Sequence, residues 1–409
     1  MPPPHSGVAL IEKIFSILTD WGIENKLFSV TLDNASANDA FVSQFRDQLN
    51  VKKSLLCSGD FFHLRCCAHV LNFILQDGLR NIDRSVQKVR ESVKYVKGSQ
   101  GRKQKFLDCV NFLSMNAKRG LRQDVPTRWN STFLMLQSAL FYRRAFCHLE
   151  LSDSNYKSCP SPIEWEKIEK ISKFLDDFYD ITCAFSGSKY PTASLYFPRI
   201  FMAYLSLKEK MDSNDEYLKE MAVNMMTKFE KYWADFNTTL AITVILDPRY
   251  TIQFVDWGYK KLYGLHSSQF RNVKDSLFSL FEEYSSRAPS RLNGNGSNGQ
   301  ELIDDSRYVF KEFDTFESEE FGGARKKSQL EQYLDEKKVE RTANIDVLAF
   351  WKANQFYYPE LSHMPRDVLS IPITIVASES SFSIGGQVLD QYRSSLKPQT
   401  VEALICTRD

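Results

Sequence analysis

In Leu27-Phe-Ser-Val-Thr-Leu-Asp33 the apolar Phe28, Val30 and Leu32 alternate with Ser29 and Thr31. A period of two describes a half-buried strand, and this one closes on a carboxylate. Helical periods flank it. Val8, Ile11, Ile14, Phe15 and Leu18 precede it, with Gly22 at the exit, and Phe41, Val42, Phe45 and Leu49 follow. Asn34, Ser36 and Asn38 suit the start of that second helix. A helix–strand–helix opening confines this end to α/β architecture. Sites in open α/β sheets form just beyond the carboxyl ends of strands, which is where Asp33 lies.

Downstream, Val70, Leu71, Ile74 and Leu75 predict the core face of a helix over Arg65–Leu79. A basic helix carries Arg84, Lys88, Arg90, Lys94 and Lys97, with Gly98–Gly101 as its stop. Leu121–Trp129, interrupted by Pro126, predicts an extended segment leading into a helix over Asn130–Phe146. From about His148 strand signals nearly vanish. Trp165–Phe178, Arg199–Lys210, Glu216–Phe236 and Phe270–Tyr284 all have helical period. Ala288–Gln300 has linker composition and Asp304–Glu320 is acidic, so poor order is expected from Ser286 to Lys327. The last part is helical and aromatic, with Phe350, Trp351, Phe356, Tyr357 and Tyr358 crowded together, a short helix over Arg366–Ser370, and Glu379 inside a helix Ile375–Ser383 that Gly385-Gly386 ends. The expected class is α/β plus α, divided at 1–147, 148–330 and 331–409.

Hydrophobic content of 43% and charged content of 25% over 409 residues exclude collagen-like, disordered and coiled-coil chains. No apolar run approaches the roughly 20 residues of a membrane span, and Met1-Pro-Pro-Pro does not read as a secretory leader. Eight scattered cysteines point to a reducing compartment rather than a disulfide framework. The net charge of +1 conceals an asymmetry: Arg80–Arg122 holds twelve Lys or Arg and three Asp or Glu, and the remainder is correspondingly negative. Such a stretch is either a solvated face or a surface for a polyanion.

Few residues carry obvious chemistry. Asp33 and Glu379 read as site carboxylates or, blandly, as a helix cap and a solvated helix position. Cys57, His63, Cys66, Cys67 and His69 offer zinc-type ligands, but their spacing fits no familiar finger, and buried packing is the competing reading. Trp129 beside Arg128 could stack on a base while the Arg holds phosphate, or could be core. Walker, dinucleotide and nucleophile-elbow motifs are absent, and the Ser378–Ser383 run has no nearby His to activate it.

Five motifs in order are more specific than any one of them: Val30-Thr-Leu-Asp-Asn-Ala-Ser-Ala-Asn38, Arg65-Cys-Cys-Ala-His-Val-Leu-Asn72, Pro126-Thr-Arg-Trp-Asn-Ser-Thr132, Leu246-Asp-Pro-Arg-Tyr250 and Ala377-Ser-Glu-Ser-Ser-Phe-Ser383. Together they resemble the plant hAT superfamily of transposases, in particular its RICESLEEPER-like members with a BED zinc finger. Asp346–Asp409 resembles the hAT C-terminal dimerisation region. The resemblance implies a partial RNase H-like fold interrupted by a large all-helical insertion, then a helical dimerisation region. It implies a catalytic set of two Asp and one Glu around Mg²⁺, in which Asp33 matches the second Asp and Glu379 the Glu. Cys66 and His69 match a Cys-x-x-His motif. Arg128 and Trp129 match an Arg-Trp motif whose Trp stacks on a flipped base.

By the same resemblance the first catalytic Asp and the BED finger would lie upstream of Met1, leaving the acidic triad incomplete. Asp39 and Asp124 are poor substitutes. The expectation is a nuclear, transposase-derived protein that binds DNA and self-associates without transposing. Lys88, Lys94, Lys97 and Lys103 would meet phosphate. Phe350, Trp351, Phe356, Tyr357, Val368 and Leu369, with Ile371, would meet a second copy or a related transposase-like protein. No cofactor is required, no zinc finger is expected in this chain, and Mg²⁺ follows only if the acidic site is retained. Neither a membrane nor a small-molecule substrate is expected. The alternatives are an active transposase lacking its N-terminal part, and an interaction module without DNA binding.

Overall fold

The computed structural model describes residues 7–80, 84–116, 119–187, 190–234, 238–266, 268–287, 327–380 and 396–407. Helix α1 (Gly7–Asp20) ends before Gly22, whose φ of 62° lets the chain turn away. Strand β1 is Val30–Leu32, shorter than the alternation predicts, and α2 (Ser36–Val51) buries Phe41, Val42, Phe45 and Leu49. Strand β2 (His63–Arg65) pairs with β1 in parallel, Val30 opposite His63 and Leu32 opposite Arg65. Parallel pairing needs a crossover, and α2 supplies it. Ile11, Leu18, Phe41, Phe45, Leu49, Leu55 and Phe62 form a small core between these elements. Phe45 is its centre, edge-on to Phe15 at 5.1 Å and to Phe62 at 5.6 Å. The helix expected over Arg65–Leu79 is α3 (Cys67–Gly78), and the strand β2 that ends on Arg65 just before it was not foreseen. A three-residue strand has too few positions to show alternation; pairing with β1 decides it.

A second, much larger core runs without a break from Phe61 to Ile373. Around it lie α4 (Arg84–Lys97), α5 (Gln100–Phe112), α6 (Trp129–Phe141), α7 (Arg143–Ser152), α8 (Pro162–Phe185), α9 (Tyr196–Met211), α10 (Glu216–Ala234), α11 (Thr238–Ile245), α12 (Ile252–Tyr263) and α13 (Gln269–Arg287). Helix α8 starts on a complete capping box, with Ser161 accepting from the Glu164 amide and Pro162 in the first turn. The basic helix α4 ends at Lys97, directly before Gly98–Gly101, and Ser99 starts α5 by accepting from the Arg102 amide at 3.2 Å. Leu121–Arg128 leads into α6 with neither helix nor strand. Helix α11 was invisible to periodicity because it is buried all round, from Thr239 to Ile245. Helix α10 packs on α3 and α9, and a Cβ at Gly78 would collide with the Met225 side chain.

The late segments are α14 (Gln329–Asp335), α15 (Val347–Ala353), α16 (His363–Leu369), a helical stretch over 376–380, and α17 (Pro398–Cys406). They are stitched to the end of α11. Tyr333 donates to the Ile245 carbonyl at 3.0 Å, the Trp351 indole N–H to the Leu246 carbonyl at 2.8 Å, and the Val339 amide to the Pro248 carbonyl at 3.1 Å. The last carbonyls of a helix lack partners of their own, and here the C-terminal region supplies them. Asp247 is fully buried, and Arg249 closes on it with two bonds, at 2.9 and 2.6 Å. This corrects the interface reading of Trp351, Val368, Leu369 and Ile371: they are at most 4% exposed and belong to the chain's own core. Phe350 is half-buried against Trp351, whereas Phe356 and Tyr357 are exposed. Most of the linker and acidic segment, and Gly385-Gly386, lie outside the described residues.

Replacing Trp351 by Phe strands the Leu246 carbonyl and is expected to cost about 1–3 kcal/mol. Replacing it by Ala also opens a cavity, at about 3–5 kcal/mol. Denaturant unfolding measures both, and light scattering should show the assembly mass of the folded Phe variant unchanged.

Candidate acidic and nucleic-acid sites

Asp33 sits at the end of β1, half-buried, and its Oδ1 accepts from the Ala35 amide at 3.1 Å and from the Asn38 side chain at 2.6 Å. Asp33 is not the helix cap, since α2 starts from Ala35 with no side-chain cap, but these two bonds in the turn hold the carboxylate still. Glu379, on the helical stretch 376–380, has its Oε1 3.6 Å from His69 Nε2. His69 Nδ1 lies 3.2 Å from Cys66 Sγ, and the same sulfur accepts the Ile375 amide at 3.4 Å. Pro372 and Ile373 complete the junction, their carbonyls accepting from Thr31 Oγ1 at 2.6 Å and from the Cys67 amide at 2.9 Å. Residues far apart in sequence thus bring Cys66, His69 and Glu379 together on the sheet edge that carries Asp33. Asp39 is turned to Arg65 at 3.3 Å, and Asp124 is buried elsewhere.

The residues around Asp33 and Glu379 do not by themselves amount to a magnesium site. Among the described residues no three His, Cys, Asp or Glu side chains gather closely enough to hold an ion. The zinc-type cluster is likewise dispersed. Cys57 faces Glu283, and burial with that carboxylate pushes its thiol up to about 12. Burial also raises Cys66, and raises Cys67 well above its ordinary value.

The basic segment divides by partner. Lys88 pairs with Glu164 at 2.7 Å; burial raises that carboxyl, but Lys88 and Ser161 outweigh it and hold it below the usual range. Arg90 is buried against Asp124 with bonds of 2.8 and 2.7 Å to one oxygen, which Thr132 also reaches at 3.2 Å. Lys105 pairs with Asp153 at 3.1 Å. Lys94, Lys97 and Lys103 are exposed and take no ion-pair partner among the described residues. Lys88 therefore leaves the set of phosphate-binding candidates, because its charge is already used.

Arg128 is exposed at the cap of α6, but Trp129 is only 2% exposed. It forms part of the wall of a cleft of about 330 Å³ with Phe73, Gln76, Arg80, Lys228 and Tyr232. Phe73 and Tyr232 lie near parallel, 13° apart with centroids at 6.4 Å. Gln76 fixes the approach by donating to the Thr127 carbonyl, and Asp77 pairs with Arg80 at 3.4 Å. Sequence reasoning missed Phe73, Arg80, Lys228 and Tyr232. They come from α3, its end and α10, and no local signal links those segments.

Residues 1–61 match the ZBED1 RNase-like domain and 64–174 the ZBED1 RNase-like helical domain. Residues 194–284 match the RNase-H fold of hAT-like transposases, and 329–409 the hAT family C-terminal dimerisation region. The chain belongs to the hAT transposase family. It is 37% identical over 431 residues to zinc finger BED domain-containing protein RICESLEEPER 2 of Oryza sativa subsp. japonica, covering 99% of this chain and 59% of that protein. It is 35% identical over 424 residues to a putative AC transposase of Zea mays, covering 99% of this chain and 51% of that one. DAYSLEEPER of Arabidopsis thaliana is 32% identical over 408 residues, with 99% and 57% covered. The chain thus spans between half and three-fifths of these hAT relatives. Within the hAT dimerisation region, α14 to α16 are integrated into the main core, and Phe356 and Tyr357 are its exposed large aromatics among the described residues. No described helix is long and apolar enough to cross a membrane.

Removing the Asp124 carboxylate leaves the Arg90 charge buried and alone. Asp124→Ala is expected to cost about 3–5 kcal/mol in urea unfolding, and Arg90→Met with Asp124→Leu to recover most of it.

Proposed function

We propose that this chain is part of a nuclear, transposase-derived protein that holds DNA and pairs with a second copy. In this reading, an RNase H-like sheet is interrupted by the helices that include α8–α13. The observation that carries DNA binding is the cleft at Trp129: an indole wall, a near-parallel Phe73–Tyr232 pair, Lys228, and the exposed Arg80 beside Asp77, around a space of about 330 Å³. An unstacked base fits such chemistry, with the exposed Phe73 ring as the stacking face over the buried indole and the cations for phosphate, at roughly 1–3 kcal/mol per stacked base. Arg128, Lys94, Lys97 and Lys103 would hold flanking backbone without reading sequence.

Strand cleavage is not part of the proposal for this chain alone. Two-ion phosphoryl transfer needs carboxylates that bridge both ions about 4 Å apart. Asp33 is tied to Asn38 and Glu379 lies against His69, with no third acid gathered beside them among the described residues. Incubation with transposon-end DNA and Mg²⁺ or Mn²⁺ is expected to leave the strands intact. Nicking that Asp33→Ala and Glu379→Ala both abolish would establish the transposase reading instead.

Changing Lys94, Lys97 and Lys103 to Gln should reduce the slope of log K against log salt by roughly 2–3, at about 0.9 per phosphate contact. Arg80→Gln with Lys228→Gln should weaken binding of a duplex carrying an unpaired end more than that of a blunt duplex. DNA binding that neither set alters would favour a protein-interaction role. For self-association, Phe356→Ser with Tyr357→Ser should lower the mass seen by light scattering to that of a monomer while leaving the melting temperature unchanged.

A further inference from the structure

We infer that Cys66 and His69 are positioning residues that seat the return segment 372–380 on β2 and α3, and so fix where Glu379 stands relative to β1 and Asp33. Cys66 is the crossing point. Its amide donates to the carbonyl of Leu32, the residue before Asp33, at 2.7 Å. Its sulfur accepts the Ile375 amide at 3.4 Å, just ahead of the helical stretch that bears Glu379. The first amides of a helical stretch have no partner within it, and Cys66 is completely buried, so the sulfur stands where water cannot. One turn along α3, His69 spans the remaining gap, with Nδ1 3.2 Å from the sulfur and Nε2 3.6 Å from Glu379. One proton arrangement serves every contact. The thiol, kept protonated by burial, donates to Nδ1, and Nε2 carries its hydrogen toward the carboxylate. Neighbouring bonds, from the Cys67 amide to Ile373 and from Thr31 to Pro372, hold the entry to the segment but do not reach Glu379. The Cys-x-x-His spacing thereby acquires a physical reason: the residues at both ends must face the same returning loop and the helical stretch after it.

The seat belongs to the unliganded fold and stands or falls independently of DNA binding. Amide hydrogen exchange of the full chain, followed by mass spectrometry on peptides covering 372–380, tests it. His69→Ala removes the 3.2 Å bond to the buried Cys66 sulfur as well as the approach to Glu379, and should raise exchange there about tenfold, while peptides of α8 keep their protection. His69→Gln, which restores a donor toward Glu379, should recover most of that protection. Cys66→Ala should expose the Ile375 amide, and Cys66→Ser, still an acceptor and a donor, should restore it. Unchanged exchange over 372–380 in His69→Ala overturns the inference, whether or not Cys66→Ala folds. So does Cys66→Ser exchanging as fast as a folded Cys66→Ala.

Discussion

The carbonyls of Ile245 and Leu246 end a helix that is buried on every side, and the larger core depends on how they are satisfied. Water does not reach them, so an unpaired carbonyl there would carry its full desolvation cost. Tyr333 and Trp351 meet that need from positions 88 and 105 residues later in the chain. Because the same side chains fill space against Tyr358 and each other, hydrogen bonding and packing are satisfied together. The C-terminal region is consequently part of the fold and not an appendage to it. Any pairing surface it offers has to use residues left over after that work, and Phe356 and Tyr357 are such residues.

The same division between internal and available groups runs through the charges. Arg90, Lys88 and Lys105 come from one basic stretch, yet each is spent on an acid of the chain itself: Asp124, Glu164 and Asp153. The Arg90–Asp124 pair is buried and costly to break, and in all three the basic charge is matched by an acid beside it. The surplus that reaches solvent is therefore smaller than the composition implies. On α4 and α5 it is carried by Arg84, Lys94, Lys97, Arg102 and Lys103, whereas the cleft beside Trp129 draws its cations from Arg80 and from Lys228 on α10. A polyanion would encounter two separate positive features, and only the second contains aromatic walls.

The legibility of the sequence followed the strength of its periodic signals. Amphipathic helices such as α2 and α4 were readable because one face is wet and the other is dry. Helix α11 was not, since a segment buried all round has no period to detect. Strand β2 escaped because three residues cannot display alternation, and its identity comes from pairing with β1. Gly98 marks the end of α4, and Ser99 starts the next helix with its own side chain. Aromatic crowding around Trp351 resembled an interface, and distinguishing interface from core needs the partner surface, which local composition does not contain.

The sequence by itself determined the α/β opening, the helical body, the position of Asp33 at a strand end and membership in an ordered set of motifs. Those features follow from local period, local capping and residue identity. Tertiary structure decided which charges are free, that Trp129 walls a cleft instead of standing exposed, and that Cys66 and His69 meet Glu379. Each of these depends on contacts between residues far apart along the chain, here brought together by the parallel crossover at β2, the packing of α10 on α3, and the return of segment 372–380. Distance in sequence carries no information about such meetings, because burial and hydrogen-bond satisfaction are settled only when the whole core closes.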